Sequence, residues 1–176
     1  MRPRVRKLAL TLHVVASVGW LGAVAVFLTL GVVGLTGRNA EVVRAVYLAM
    51  ESAGWSLLVP LALASLLTGL VQSLGGRWGL FRHYWVVVKL VINVVAVLVL
   101  LLYTQTLSYL ADLAAAETSS TESGLVGLRS PSPVIHAGAG LLLLLTAATL
   151  SVYKPPGMTR YGQRKQYGQR RSAARA

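Results

Sequence analysis

Four long apolar segments constrain the fold of this chain more than any other feature. The first runs from Leu8 to Leu35 and contains no charged residue, only the ionisable His13. At about 1.5 Å per helical residue, such a run exceeds the roughly 30 Å hydrocarbon core of a bilayer. Three further apolar runs are long enough to cross: 54–75, 84–110 and 133–153. The sequence therefore predicts an all-α, polytopic membrane protein, a four-transmembrane-helix bundle that occupies residues 1–153.

The cationic residues lie mainly outside the apolar runs. Lys and Arg number 17 against 5 Asp and Glu, which gives a net charge of +12, and most of this excess flanks the first run or follows the last one. Such placement is typical of the positive-inside rule, so both termini are predicted to be cytoplasmic. Residues 154–176 are predicted to form a basic cytoplasmic tail that lies disordered at the anionic lipid surface, with no nucleic-acid partner.

Two segments between the apolar runs have their own patterns. Residues 41–51 place Val43, Val46, Tyr47 and Met50 at helical spacing. This spacing predicts an extracytoplasmic amphipathic helix between spans 1 and 2, which either lies at the interface or extends the second span. Pro60 predicts a kink near the outer end of that span. Residues 114–132 are rich in Ser, Thr, Gly and Pro and predict a mobile loop.

The polar residues inside the spans define a candidate site. His13 and Lys89 each lie five residues inside the predicted cytoplasmic end of their span, so they share one depth of about 7.5 Å. Gln72 approaches that depth, and Asn93 lies one turn beyond Lys89 on the same helix face. Two ordinary alternatives stay open: Lys89 snorkels to the interface, and the two amides only bridge helices.

His13 is the strongest functional candidate of these residues, because an ionisable group inside a membrane span is by default a candidate for function. A protein-only metal site would need further ligands at the same depth; none is evident, and the chain has no cysteine. A b-type haem asks for one axial histidine, an apolar slot and interfacial cations. Small residues could open the slot: Gly19, Gly22, Ser65 and Gly69. The available cations are Arg77, Arg82 and Lys89.

His136 is predicted to be separate from His13. It lies near the outer face of the fourth span, roughly 20 Å from the His13 level if that span runs its full length. The two histidines therefore cannot share one metal or clamp one haem. Hydrogen bonding at the outer interface is the predicted role of His136. In the inner half of the same span, Thr146, Thr149 and Tyr153 are predicted to add to the polar pocket around His13.

Three motifs carry a resemblance to known families. They are Leu12–Gly22 (LHVVASVGWLG), Leu67–Leu70 (LTGL) and Arg82–Leu90 (RHYWVVVKL). Together they resemble a four-span bacterial integral membrane protein family of unknown function and, more distantly, the copper-resistance D family and the HemJ-type protoporphyrinogen oxidases. The resemblance to the HemJ-type proteins implies haem b on His13 and a role for Trp85 and Lys89. These two residues lie four apart here, whereas the family has an adjacent pair.

The resemblance and the residues together lead to one main expectation. This is a protein of the bacterial cytoplasmic membrane that binds haem b through His13 and transfers electrons or protons with a membrane redox partner. His13 would be the axial metal ligand, in a cofactor site completed by Gln72, Arg82, Trp85, Lys89 and Asn93. A non-enzymatic structural or partner-binding membrane protein is the first alternative, and a metal transporter is the second. Catalytic residues are not assigned, and any enzymatic activity would be that of a membrane oxidoreductase.

Overall fold

The protein is all-helical over the residues that the structure, a computed structural model, describes: 3–75, 80–116, 126–164 and 167. Within these residues, five long α-helices and one π-helical turn make up the bundle. They are α1 (Pro3–Thr36), α2 (Ala40–Ala53), the π-helical turn (Gly54–Leu58), α3 (Val59–Gly75), α4 (Tyr84–Ala116) and α5 (Ser132–Tyr153). Four helical segments are long and apolar enough to cross a membrane, which confirms the predicted four-span bundle.

The spans form a square bundle in which neighbours in the chain are neighbours in space. The α1 helix packs against α2, α3 and α5, and α4 packs against the same three elements, so α1 and α4 stand on a diagonal. The centre is filled by large apolar side chains, among them Trp20, Phe27, Met50 and Leu107. Other apolar side chains point outward, as expected for residues that contact lipid: Val15, Leu67, Leu102 and Leu142.

The predicted amphipathic helix and the second span form one continuous rod. Asn39 begins it, and its side chain accepts hydrogen bonds from the backbone N–H groups of Glu41 and Val42 at 2.9 and 3.2 Å. Of the two predicted arrangements, the helix thus extends the second span. Pro60 has no N–H group and cannot continue the normal bonding pattern. The π-helical turn comes just before it, and the Val59 N–H bonds Gly54, five residues back.

The described ends of the predicted mobile loop, residues 114–116 and 126–132, are largely helical. The α4 helix continues to Ala116, beyond the predicted end at residue 110. Residues 111–116 contain no helix breaker, and four of them are alanine, the residue with the highest helix propensity. On the far side, Leu128 is buried, and its carbonyl accepts a 2.6 Å hydrogen bond from the hydroxyl of Tyr47. The rest of the predicted loop, residues 117–125, lies outside the described residues.

The beginning of the predicted tail contacts the bundle. Lys154 ends α5 in the left-handed conformation, with φ of 43°. The Thr159 N–H then donates to the Arg82 carbonyl at 3.1 Å, and residues 160–164 are helical. The start of the tail is therefore attached to the turn before α4, because the N–H and the hydroxyl of Thr159 both donate to carbonyls of that turn. The remainder, 165–166 and 168–176, lies outside the described residues.

Candidate functional site: a polar cavity between α1, α3 and α4

His13 is held on α1 by two acceptors from α3. Its Nδ1 atom lies 3.1 Å from the Ser65 carbonyl oxygen and 3.1 Å from the Thr68 hydroxyl oxygen. The Thr68 hydroxyl donates to the Ala64 carbonyl at 2.6 Å, so it is an acceptor toward His13. These partners assign the ring proton to Nδ1. The other nitrogen, Nε2, is then an acceptor with a lone pair.

Lys89 approaches that lone pair from α4, across the diagonal of the bundle. Its Nζ atom lies 3.4 Å from His13 Nε2, a long hydrogen bond in which the amine donates. The two residues at one predicted depth are therefore in contact. Snorkelling was the predicted alternative for Lys89, and in the structure its amine instead turns toward the centre of the bundle.

The amide and hydroxyl side chains around this pair mostly connect helices. Gln72 on α3 donates to the Ala9 carbonyl on α1 at 3.1 Å, and the hydroxyls of Ser17 and Ser65 lie 2.8 Å apart across the same interface. Asn93 differs, because its amide donates to the Lys89 carbonyl within α4 at 2.7 Å. Gln72 thus has the bridging role that was its predicted alternative, whereas Asn93 forms its hydrogen bond within its own helix.

A cavity of about 140 Å³ adjoins the His13–Lys89 contact; we call it the polar cavity. Five of the six predicted site residues line it: His13, Gln72, Trp85, Lys89 and Asn93. The remaining wall is mainly apolar, from leucine and valine side chains of α3 and α4. No carboxylate is present among its lining residues. The cavity therefore offers a cation, several polar groups and an apolar surface in one place.

Gly69 sets how closely α3 approaches His13. A Cβ atom built on Gly69 would lie 3.1 Å from His13 Cε1 and 3.5 Å from Nδ1. Any side chain at this position would press on the imidazole, and a bulky one would displace it. Of the small residues predicted to open a slot, Gly69 and Ser65 lie at the site, whereas Gly22 faces open space with nothing within 4 Å.

Several residues predicted to contribute do not line the polar cavity. Arg82 lies in the turn before α4, where its carbonyl binds Thr159 and its Nε atom is buried without a hydrogen-bond partner among the described residues. Arg77 lies outside the described residues. Thr146 and Thr149 are exposed and donate to carbonyls of their own helix at 2.8 Å, because a helical threonine can satisfy its hydroxyl locally. Tyr153 is also exposed.

His136 lies in a different part of the bundle. Its ring stacks on Tyr103 with centroids 4.1 Å apart and planes inclined by 19°, and its Nδ1 donates to the Ser132 carbonyl at 2.9 Å. It lines a second cavity that shares no residue with the polar cavity. The local hydrogen bond agrees with the predicted role of His136, while the aromatic stack was not predicted.

The sequence analysis predicted Gln72, Ser65 and Gly69 near the site but missed the α3 groups that hold the imidazole. These are the Thr68 hydroxyl and the Ser65 carbonyl. Ser65, Thr68, Gly69 and Gln72 follow the spacing i, i+3, i+4 and i+7, which places them on one helix face. That spacing is the signal that could have identified them together.

Comparison with known proteins gives no relative for this chain: no family model, curated protein or solved structure matches it. Within residues 3–75, 80–116, 126–164 and 167, no three His, Asp or Glu side chains are grouped closely enough to hold a metal ion. The function is therefore argued from the polar cavity itself.

Proposed function

We propose that this integral membrane protein binds a small organic anion in the polar cavity, with Lys89 as the charged contact and His13 as its positioning partner. The observation that carries this proposal is the isolation of Lys89. Its amine lies inside the bundle beside an uncharged imidazole nitrogen, and no carboxylate lines the cavity. A cation within a span costs about 2.5–3.5 kcal/mol on insertion scales, and an anionic ligand would offset part of this cost.

The size and lining of the cavity indicate the kind of anion. A cavity of about 150 Å³ holds a benzene-sized molecule, and the polar cavity is about 140 Å³. The lining combines polar side chains, Lys89, His13 and Asn93, with apolar leucines such as Leu66 and Leu90. A monocarboxylate with a small apolar group would place its charge at Lys89 and its hydrocarbon part against the leucines.

Benzoate is a suitable probe, and benzyl alcohol is its uncharged counterpart of similar size. Binding of labelled benzoate to the purified protein in lipid nanodiscs should saturate, and unlabelled benzyl alcohol should compete poorly. The Lys89→Met variant keeps the length of the side chain and removes its charge. Its affinity for benzoate should fall at least about ten-fold, since a hydrogen bond to a charged group contributes about 1.5–3 kcal/mol.

Lys7→Met is the matched control, because Lys7 lies on an exposed turn of α1 and does not line the cavity. This variant should bind benzoate like the wild type. Equal affinity in the Lys89→Met and Lys7→Met variants would refute the proposal, as would competition by benzyl alcohol at the same concentration as benzoate.

Haem b on His13, in a protein related to the HemJ-type enzymes, is the second proposal. One observation favours it: the hydrogen bond from Nδ1 to the Ser65 carbonyl leaves Nε2 facing the cavity, as in many metal-bound histidines. Two observations weigh against it. Lys89 already contacts Nε2, and about 140 Å³ is well below the roughly 300 Å³ at which pockets for drug-sized ligands begin. A haem would require Lys89 to withdraw and the helices to separate.

The visible spectrum separates the two proposals. The purified protein is mixed with haem b, and the Soret band of the wild type is compared with that of the His13→Ala variant. A band that the variant loses would support haem on His13 and would leave benzoate binding without its main rationale. No specific band in the wild type would exclude the haem proposal.

A further inference from the structure

A second cavity, of about 190 Å³, lies in the half of the bundle away from the polar cavity; we call it the apolar cavity. Four elements enclose it: α1, the α2–α3 rod with its π-helical turn, α4 and α5. The large side chains in its wall are Trp20, Phe27, Met50, Leu58, Tyr103 and Leu144. Its lining is therefore unlike that of the polar cavity and favours a different kind of ligand.

The size of the apolar cavity is unusual for a packed interior. Protein cores contain few voids larger than a water molecule. A cavity of about 150 Å³ lined by apolar side chains stays dry and takes up benzene. The apolar cavity is larger than that and has a similar lining, so it has room for one substituted six-membered ring.

One side of the apolar cavity reaches the outside of the bundle between α4 and α5. Val99, His136 and Ala139 line the cavity and are also exposed on the outer surface, Val99 to 43%. These positions fall within the membrane-spanning helices, where the surroundings are lipid. A ligand would therefore arrive from the bilayer, and it must be soluble there.

The aromatic pair at this opening adds a polar feature. Tyr103 stacks on His136 and is nine-tenths buried, with an exposure of 9%. Its hydroxyl lies near Ser132 but forms no aligned hydrogen bond with any described residue. A buried hydroxyl without an acceptor is costly, and a ligand oxygen would satisfy it.

We propose that the apolar cavity binds a lipid-soluble ring that carries a carbonyl oxygen, as in a small benzoquinone. The ring occupies the cavity, whose lining includes Trp20 and Phe27, and its oxygen accepts a hydrogen bond from Tyr103. This inference is independent of the proposed function, since the two cavities have no residue in common. Binding in one can fail without consequence for the other.

The test uses quenching of Trp20 fluorescence by 2,5-dimethyl-1,4-benzoquinone. The protein is prepared in nanodiscs as a variant that keeps Trp20 as its sole tryptophan, with phenylalanine at the other three tryptophan positions. Quenching should contain a saturable component above the linear collisional one. p-Xylene has the same six-carbon ring skeleton and the same two methyl groups but no oxygens. It should bind at least five-fold more weakly than the quinone, as measured by its competition for the saturable component.

Two cavity-filling substitutions and one hydroxyl deletion make the test specific. Ala137→Leu on α5 and Ala96→Leu on α4 each place a larger side chain in the lining, and each should abolish the saturable component. Tyr103→Phe should weaken it about five-fold. The variants are compared at equal helicity by circular dichroism, and two filling variants on different helices guard against the misfolding of one.

Several results would contradict the proposed quinone site. Saturable quenching that survives in a folded Ala137→Leu or Ala96→Leu protein would place the quinone elsewhere and overturn the inference. The same holds if quenching is purely linear in the parent protein. Equal competition by p-xylene, or no effect of Tyr103→Phe, would show a cavity that takes hydrocarbon without regard to the carbonyl, and this too would contradict it.

Discussion

Replacing Tyr47 with phenylalanine isolates one buried hydrogen bond at the end of the bundle where α2 and α4 meet. The Tyr47 side chain is 1% exposed, and its hydroxyl donates to the Leu128 carbonyl at 2.6 Å. The phenylalanine ring keeps the packing against Val43 and Leu110 in the same apolar cluster. The substitution therefore removes one of two donors, because the Leu128 carbonyl also accepts a hydrogen bond from the Ser130 N–H at 2.8 Å.

The expected loss in the free energy of unfolding is about 0.5–1.5 kcal/mol, the net contribution of one hydrogen bond whose acceptor keeps a second donor. For a chain of this length, 1 kcal/mol corresponds to roughly 2–4 °C in Tm. Tyr47→Phe should thus lower Tm by about 1–6 °C, as measured by thermal circular dichroism in detergent. Tyr109→Phe is the matched control, because Tyr109 is 65% exposed on α4 and should lose little. Equal Tm values for the two variants would refute the role assigned to this hydrogen bond.

Two further substitutions probe the packing, with thermal melting as the common measurement. Gly34→Ala should lower Tm, because its Cβ would lie 3.0 Å from the Tyr47 ring and hydroxyl. In the control Gly22→Ala the Cβ meets nothing within 4 Å, so Tm should stay unchanged or rise. A larger loss of Tm for Gly22→Ala than for Gly34→Ala would contradict the close approach of α1 and α2. Leu107→Ala, at 2% exposure, should cost about 2–5 kcal/mol, and Leu102→Ala, at 70% exposure, far less. Similar losses for both leucines would argue against the orientation of α4.

The spans were predictable because their signal is strong and local. A run such as Leu8–Leu35 can satisfy its backbone in a bilayer only as a helix, so length and composition sufficed. The ends were harder to predict. The sequence predicts the end of the third span at residue 110, whereas α4 continues to Ala116, and the burial of Leu128 depends on a distant partner, Tyr47. Boundaries of this kind follow from tertiary contacts that composition does not contain.

The candidate site was predictable in depth but not in rotation. Counting residues from the span ends placed His13 and Lys89 at one level, and the structure brings them within 3.4 Å. The count cannot give the rotation of each helix about its axis, which decides that Ser65 and Thr68 face His13. Arg82, close in sequence to Lys89, was predicted at the site, but it belongs to the turn before α4, where its carbonyl binds Thr159, and it does not line the cavity.

The contact between His13 and Lys89 is the basis of the proposed anion site, and nitrogen NMR of the imidazole tests it most directly. The protein, labelled with [15N]histidine in bilayers, should show for His13 a protonated Nδ1 and an unprotonated Nε2, assigned by comparison with the His13→Gln variant. The Nε2 signal should shift in the Lys89→Met variant, whereas that of Lys7→Met should match the wild type. A protonated Nε2, or a His13 signal that is unchanged in the Lys89→Met variant, would contradict the account.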